Sequence, residues 1–415
     1  MPTATPAHDV NLTTLAPKGD ALLGEINQLR EYQPIYWSEL SHCWIVTGHT
    51  EVTEGFSGTL PLSSHQMPQA LYRILPPDQL NARIPNSLRY MPLIATNLDG
   101  EVHANLRKIL VKALNRKLVE DQRPYVRARV ALLLDQAAAR RELEFHEEIA
   151  RQLPGAVILK LLGMSPDYLA SLKRWADGVT TALTSYNPKP EWLDQLEIVV
   201  NDMLEIFRAE IEDRRKNPRA DLITLLLNTT EGDARLSMDE VLGTLIQVII
   251  AGHDTTNNSL TLGMRALARH PEAWAWWRAH PDKSLECTNE LMRYIAMSTV
   301  LYRIAAEDFN WRGSAIRKGD MVTLMIAGAN RDPRVFSHPE ELDFTRQTDL
   351  SMTFGPGLHH CVGHLLAKLQ LSEFFGALVQ RFDRVEILAE PEFTPGLVFR
   401  SLKALQVRFH PRQDA

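Results

Sequence analysis

Cysteine is scarce in this 415-residue chain: only Cys43, Cys287 and Cys361 occur, scattered along its length. That argues against a disulfide framework and fits a reducing compartment. Long apolar runs are missing too. The longest mostly apolar stretch, Val241 to Ala251, is far shorter than the roughly 20 residues a membrane-spanning helix needs. The N-terminal end shows no charged-then-apolar signal pattern and no membrane anchor, so the expected location is cytoplasmic. Nor is there an excess of positive charge. The 45 Lys and Arg stand against 51 Asp and Glu, a net charge of -6 that argues against nucleic-acid binding by the chain as a whole. No Pro/Gly/Ser-rich linker, low-complexity tract or internal repeat divides the sequence. The expected organisation is a flexible start over residues 1–17, then one large domain over residues 18–415.

What is present is mostly helical patterning. Apolar residues recur at three-and-four spacing over Val102 to Leu118, Val126 to Ala139, Leu193 to Arg214 and Val362 to Arg381. Ile35-Tyr36-Trp37 and Cys43 to Val46, separated by a polar turn, predict a short β-hairpin, and a second β-rich patch is expected over Ala305 to Thr323. The fold class is therefore mainly α with a minor β region. Ser237 and Glu240 make a capping-box start to a helix whose pattern runs to about His270. Such a helix is roughly 50 Å long and must cross the body of the domain.

The middle of that helix reads Ala251-Gly252-His253-Asp254-Thr255-Thr256-Asn257-Asn258. A buried carboxylate is costly, and Gly costs about 1 kcal/mol against Ala inside a helix, so the stretch breaks two local rules together. Rule-breaking of this kind marks functional sites. Small residues at 251 and 252 let a flat cofactor or a diatomic ligand approach. Thr255 can donate a hydrogen bond to that ligand while Asp254 relays protons. The bland alternative is that these polar groups bond to neighbouring helices or back to preceding carbonyls.

Cys361 lies in Phe354-Gly355-Pro356-Gly357-Leu358-His359-His360-Cys361-Val362-Gly363, with an amphipathic helix behind it. Glycines at 355, 357 and 363 permit unusual backbone angles and let the loop lie against a planar group with one sulfur projecting. A helix starting near Gly363 favours the thiolate. Glu290 and Arg293, three apart on a helix, can pair. Basic residues Arg107, Lys108, Lys112, Arg116 and Lys117 cluster between Ala104 and Val119 with no acidic residue among them, as a docking face for an acidic partner or simply a solvated helix face.

Ala251 to Thr256, Glu290-Leu291-Met292-Arg293, Asn330-Arg331-Asp332-Pro333 and the loop Phe354 to Gly363 together resemble the cytochrome P450 family of heme-thiolate monooxygenases, from about Ile35 to Phe409. The resemblance implies heme b (iron protoporphyrin IX) held by Cys361 as the metal ligand, beneath the long central helix. It implies cofactor contacts from Phe354, Gly355, Gly363 and Ala251, and propionate partners in His103, Arg107, Arg303 and His359. Asp254 and Thr255 match the family's acid and alcohol positions. Glu290 and Arg293, with Arg346 as a third member, match its structural pair. By position, Ile250, Ala251, Thr299, Val300, Leu301, Leu397 and Val398, with parts of Ile84 to Thr96, are expected to line an apolar substrate pocket.

The implied reaction inserts one oxygen atom from O2 into a hydrophobic small molecule. No reductase is fused, so electrons are expected from a separate ferredoxin and ferredoxin reductase, docking around Lys108, Lys112, Arg116 and Lys117 with Lys368. The rivals are a hydrogen peroxide-driven peroxygenase, which makes Asp254 and Thr255 dispensable, and a non-catalytic heme sensor or carrier. A zinc module on His359, His360, Cys361 and His364 is disfavoured, because three adjacent residues do not readily converge on one tetrahedral ion.

Overall fold

The expected hairpin forms: β1 (Ile35–Ser38) and β2 (Cys43–Val46) pair antiparallel with Trp37 opposite Trp44. In the computed structural model, which describes residues 9–15, 18–65, 75–184, 189–231 and 234–412, three further strands extend this hairpin into a sheet. They are β3 (Leu62–Ser63), β4 (Leu301–Ala305) and β5 (Met321–Leu324). The order is β1-β2-β5-β4-β3, parallel only at the β2–β5 pair. The second β patch thus begins earlier than its apolar pattern suggested, at Leu301.

Six helices frame the site: α1 (Gly100–Ala113), α2 (Gln152–Leu162), α3 (Leu169–Thr184), α4 (Met238–Arg269), α5 (Ser284–Ile295) and α6 (His364–Arg381). The periodic run through Leu118 is two helices rather than one. The chain breaks at Leu114, where Asn115 accepts a hydrogen bond from Leu118 N at 3.0 Å and caps the short helix Arg116–Asp121. For α4 the capping box is present as expected. Ser237 Oγ accepts from Glu240 N at 3.3 Å, and Glu240 Oε2 accepts from Ser237 N at 2.8 Å.

α4 runs through the largest apolar core, which also takes residues from α1, α2, α5 and α6. Along its buried length, Val248, Ala251 and Thr255 keep accessible surface on one face. A second core joins Leu12, Leu15 and Ile26 to Met325 and Leu397. This corrects the expectation of a flexible start over residues 1–17, at least for 9–15. There Val10 O accepts from Ser38 Oγ and Ser41 Oγ at 2.9 and 2.7 Å, and Leu12 has no exposure. Val10, Leu12 and Leu15 are all buried in this core. Residues 1–8 and 16–17 lie outside the described residues.

Candidate active site

The cysteine loop is closed by its own backbone. Cys361 N donates to Phe354 O at 2.9 Å, and Gly355 N donates to Met352 O at 2.9 Å. Gly355 and Gly357 take φ of 65° and 75°, the left-handed region that glycine adopts without strain. Gly363 differs from expectation, with an ordinary φ of -82°. Among the described residues a Cβ there would meet only Cys361 Sγ, at 3.9 Å, an ordinary contact, so neither backbone strain nor crowding by the protein calls for glycine at this position. α6 begins one residue later, at His364. Burial pushes the Cys361 thiol up, opposed by a hydrogen bond from the Gly363 backbone and by the charge of Arg107. Yet Cys361 keeps accessible surface.

Glu290 and Arg293 have no exposed side-chain surface and pair through two bonds, at 2.7 and 2.9 Å. Arg346 Nε adds a third, to Glu290 Oε1 at 3.0 Å. Arg293 also donates to the carbonyls of Asn330 and Pro339, both at 2.9 Å. Asn330 carries the connection onward: its Oδ1 accepts from Met352 N at 2.7 Å, at the foot of the cysteine loop. The pair therefore grips the loop through an intermediary.

His103, Arg107, Arg303 and His359 gather on one side of that loop. The rings of His103 and His359 stack with centroids 4.0 Å apart. His103 Nε2 is buried and has no hydrogen-bond partner among the described residues. Arg303, 5% exposed, donates to Tyr302 O at 2.8 Å and lies over the Phe56 ring, with no carboxylate in ion-pair reach among the described residues. Burial lowers its pKa to about 10. Burial, then the charges of His103 and Arg303, push the His359 imidazole down to about 3. Asp99, kept below the usual carboxylate range by bonds from Ser63, Ser64 and His65 against the effect of its burial, stands 3.9 Å from His359 Nε2. Ser64 Oγ meets the same nitrogen at 3.1 Å. Arg107, Arg303 and the His103 nitrogen, none of them paired with a carboxylate among the described residues, suit the carboxylates of a buried ligand.

On α4, Asp254 is 6% exposed, and its carboxylate bonds His253 Nδ1 at 2.8 Å and accepts from Thr180 Oγ1 on α3. Burial pushes its carboxyl up, but the bonds from His253 and Thr180 outweigh this and keep it below the usual range. Thr255 Oγ1 donates to Ala251 O at 2.6 Å, so acid and alcohol are not in contact. The bland alternative holds in part: Ser259 and Thr261 also bond back to carbonyls four residues earlier. Gly252 has a packing role as well: a Cβ there would meet Ile158 Cδ1 at 2.9 Å, so its smallness lets α4 lie close to α2, while Ala251 is the more exposed of the two small residues.

Of the pocket residues, Ile250, Ala251, Leu301 and Val398 keep accessible surface. Thr299, Val300 and Leu397 do not, at 0%, 0% and 1% exposure. Val300 and Leu397 belong to the core under the N-terminal segment and back the wall instead of facing the space. Thr299 N is tied to Val398 O at 2.9 Å, which joins the two expected pocket segments. Ile84 to Thr96 packs along the first half of α4, with Ala95 N donating to Gln247 Oε1 at 2.9 Å. Phe354 backs the loop beneath Lys368, whose ammonium lies 5.3 Å from its ring centroid. In the basic cluster, Lys108 and Arg116 are exposed, Lys112 donates to Thr230 O at 2.9 Å, and Lys117 pairs with Asp121 at 2.8 Å.

Sequence reasoning assigned no role to Thr180, Asp99, Ser64 or the Asn330 side chain. Thr180 lies 74 residues from its partner Asp254 and carries no local signal. Asn330 opened a quoted motif, and His253 sat beside the acid, so both were within reach.

A thiol at a helix start with a cationic nest beside it is an arrangement suited to an anionic, metal-bearing planar group. The cytochrome P450 family model matches residues 182–278 and 286–400, and the chain belongs to that family as a monooxygenase. A cytochrome P450 of Priestia megaterium, CYP107DY1, is 32% identical over 321 residues, 77% of each chain. Linalool 8-monooxygenase of Pseudomonas putida is 29% identical over 390 residues, covering 93% of this chain and 95% of that one. The crystal structure of epothilone D-bound cytochrome P450epoK matches with a TM-score of 0.85 at 25% identity, covering 98% of this chain and 100% of that one. No helix among the described residues is long and apolar enough to cross a membrane.

Proposed function

We propose that this protein binds heme b through Cys361 and inserts one oxygen atom from O2 into a hydrophobic or amphiphilic small molecule, using electrons from a separate ferredoxin and its reductase. The observation that carries the cofactor reading is the buried His103 Nε2, without a hydrogen-bond partner among the described residues, on a ring stacked on His359 and close to Arg303. Those groups, with Arg107, would hold the two heme propionates. When bound, the heme would supply oxygen activation, and the Cys361 thiolate that would hold its iron is an electron-rich ligand suited to that chemistry.

The chain's own residues set the conditions for that chemistry. Gly363 N–H and the start of α6 support negative charge on Cys361 Sγ. Thr255 stands on the accessible face of α4 with its hydroxyl hydrogen given to Ala251 O, which leaves its oxygen able to accept, and Asp254, once turned away from Thr180, would be the carboxylate that brings protons to it. Ile250, Ala251, Leu301 and Val398 offer an apolar wall that orients substrate and excludes water. The relatives that act on linalool and bind epothilone D suggest a terpenoid or macrocyclic substrate class.

The reduced enzyme is expected to show a strongly red-shifted carbon-monoxide band that Cys361→Ala abolishes. Persistence of the band in that variant would remove the thiolate ligand from the proposal. Turnover with ferredoxin and NADPH, compared with peroxide alone, then separates O2-driven chemistry from peroxygenase chemistry. Substrate-induced shifts in the heme spectrum across a compound library would identify the substrate.

A further inference from the structure

His253 is fully buried, and both of its ring nitrogens face acceptors. Nδ1 lies 2.8 Å from Asp254 Oδ1, and Nε2 lies 3.3 Å from the backbone carbonyl of Arg151. An amide carbonyl can only accept, so Nε2 carries a hydrogen. The Nδ1 to Oδ1 contact needs a second one, whichever atom holds it. A neutral imidazole beside a carboxylate supplies only one of the two. The other carboxylate oxygen is occupied by the Thr180 hydroxyl.

The surroundings assign the extra charge to the histidine. Arg151 bonds Glu147 at 2.9 Å and Asp177 at 2.6 Å, and Lys173 stands 3.8 Å from Glu147, so these cations are matched elsewhere. His146 meets Thr261 Oγ1 at 3.2 Å and Glu147 at 3.9 Å. Among the described residues, Asp254 has no cation within ion-pair distance other than His253.

We propose that His253 is a positioning residue that holds Asp254 toward α3 as an imidazolium–carboxylate pair, storing one proton for the adjacent Thr255. This rests on the reading of Asp254 and Thr255 as the proton route. In the transfer, the Nδ1–H bond breaks and an O–H bond forms on Asp254, leaving a neutral imidazole. Rotation of the acid then passes the proton toward Thr255. A proton taken up from solvent at the Thr180 hydroxyl, which passes its own proton to Asp254 and on to His253 Nδ1, restores the imidazolium.

The test uses the holoenzyme, labelled with 15N-histidine, reduced and bound to carbon monoxide so that the iron is diamagnetic. Subtracting the spectrum of His253→Gln assigns the residue. The proposal expects both ring nitrogens in the protonated range at neutral pH, and loss of one of them in Asp254→Asn. A wild-type ring protonated on one nitrogen only overturns it, and needs no functional variant. In turnover, His253→Gln should lower product formed per NADPH consumed by roughly tenfold or more, with the carbon-monoxide band and the substrate-induced shift retained. If Asp254→Asn is uncoupled while His253→Gln is coupled like wild type, the proton route stands and the role of His253 is overturned. If Asp254→Asn is itself fully coupled, the proton route fails and the proposed store fails with it.

Discussion

Arg293 donates from Nη1 to the carbonyl of Asn330 at 2.9 Å, and the Asn330 side chain accepts from Met352 N at 2.7 Å. This two-step link lets a pair buried on α5 govern a loop that begins two residues past Met352. Removing one member of a buried ion pair leaves the other charge uncompensated, a cost of about 3–5 kcal/mol. Arg293→Ala is expected to lose heme and melt early. Arg293→Lys should fare little better, because one ammonium cannot replace a fork that serves Glu290, Asn330, Pro339 and Glu341 together. Heme content per chain and thermal melting read both.

Gly355 and Gly357 share a left-handed backbone but differ in their neighbours. A Cβ at 355 meets nothing within 4 Å, whereas one at 357 runs into the backbone carbonyl of Phe56. Gly355→Ala should therefore cost only the conformational penalty of roughly 1–2 kcal/mol. Gly357→Ala must also shift the loop or the chain at Phe56. The expected result is near-normal heme loading in the first variant and a clear loss in the second, measured by the ratio of heme to protein absorbance.

Asp332 accepts hydrogen bonds from His49 N at 3.0 Å and from Arg334 Nε at 2.8 Å. Burial pushes its carboxyl up, but these bonds prevail and bring it down to about 2, from an ordinary value of 3.8. A folded pKa below the unfolded one stabilises at neutral pH, and that contribution fades as pH falls from 3.8 toward 2. Asp332→Asn should cost on the order of 2 kcal/mol at pH 7. The gap to wild type should close across that acid window, as denaturant midpoints at stepped pH will show.

Lys108 and Arg116 are exposed, while Lys112 and Lys117 have partners within the chain. Reversing the charge at Lys108 and Arg116 together should slow electron transfer from an acidic ferredoxin by roughly tenfold at low salt. The difference should vanish at high ionic strength. Stopped-flow reduction across a salt series measures it, and an unchanged rate would place the donor on another face.

Much of this protein is legible in order along the chain, because the signals are local. Ser237 and Glu240 are three residues apart and cap α4 by themselves; two of the glycines in the loop around Cys361, Gly355 and Gly357, stand at the left-handed turns that need them. Local spacing also made the Glu290–Arg293 pair visible. It did not reveal that Gly252 seats a helix against Ile158, that Val300 and Leu397 turn into the core, or that Val10 to Leu15 is anchored.

The amino-acid sequence by itself determined the capping box of α4, the Glu290–Arg293 pair and the left-handed turns at Gly355 and Gly357, since each depends on neighbours within a turn or two. Only the tertiary structure decided that Asp254 turns toward Thr180 and that His103 stacks on His359. It likewise decided that Asn330 joins the buried pair to the loop. Those contacts join residues distant in sequence, and no local pattern encodes the packing that brings such groups together.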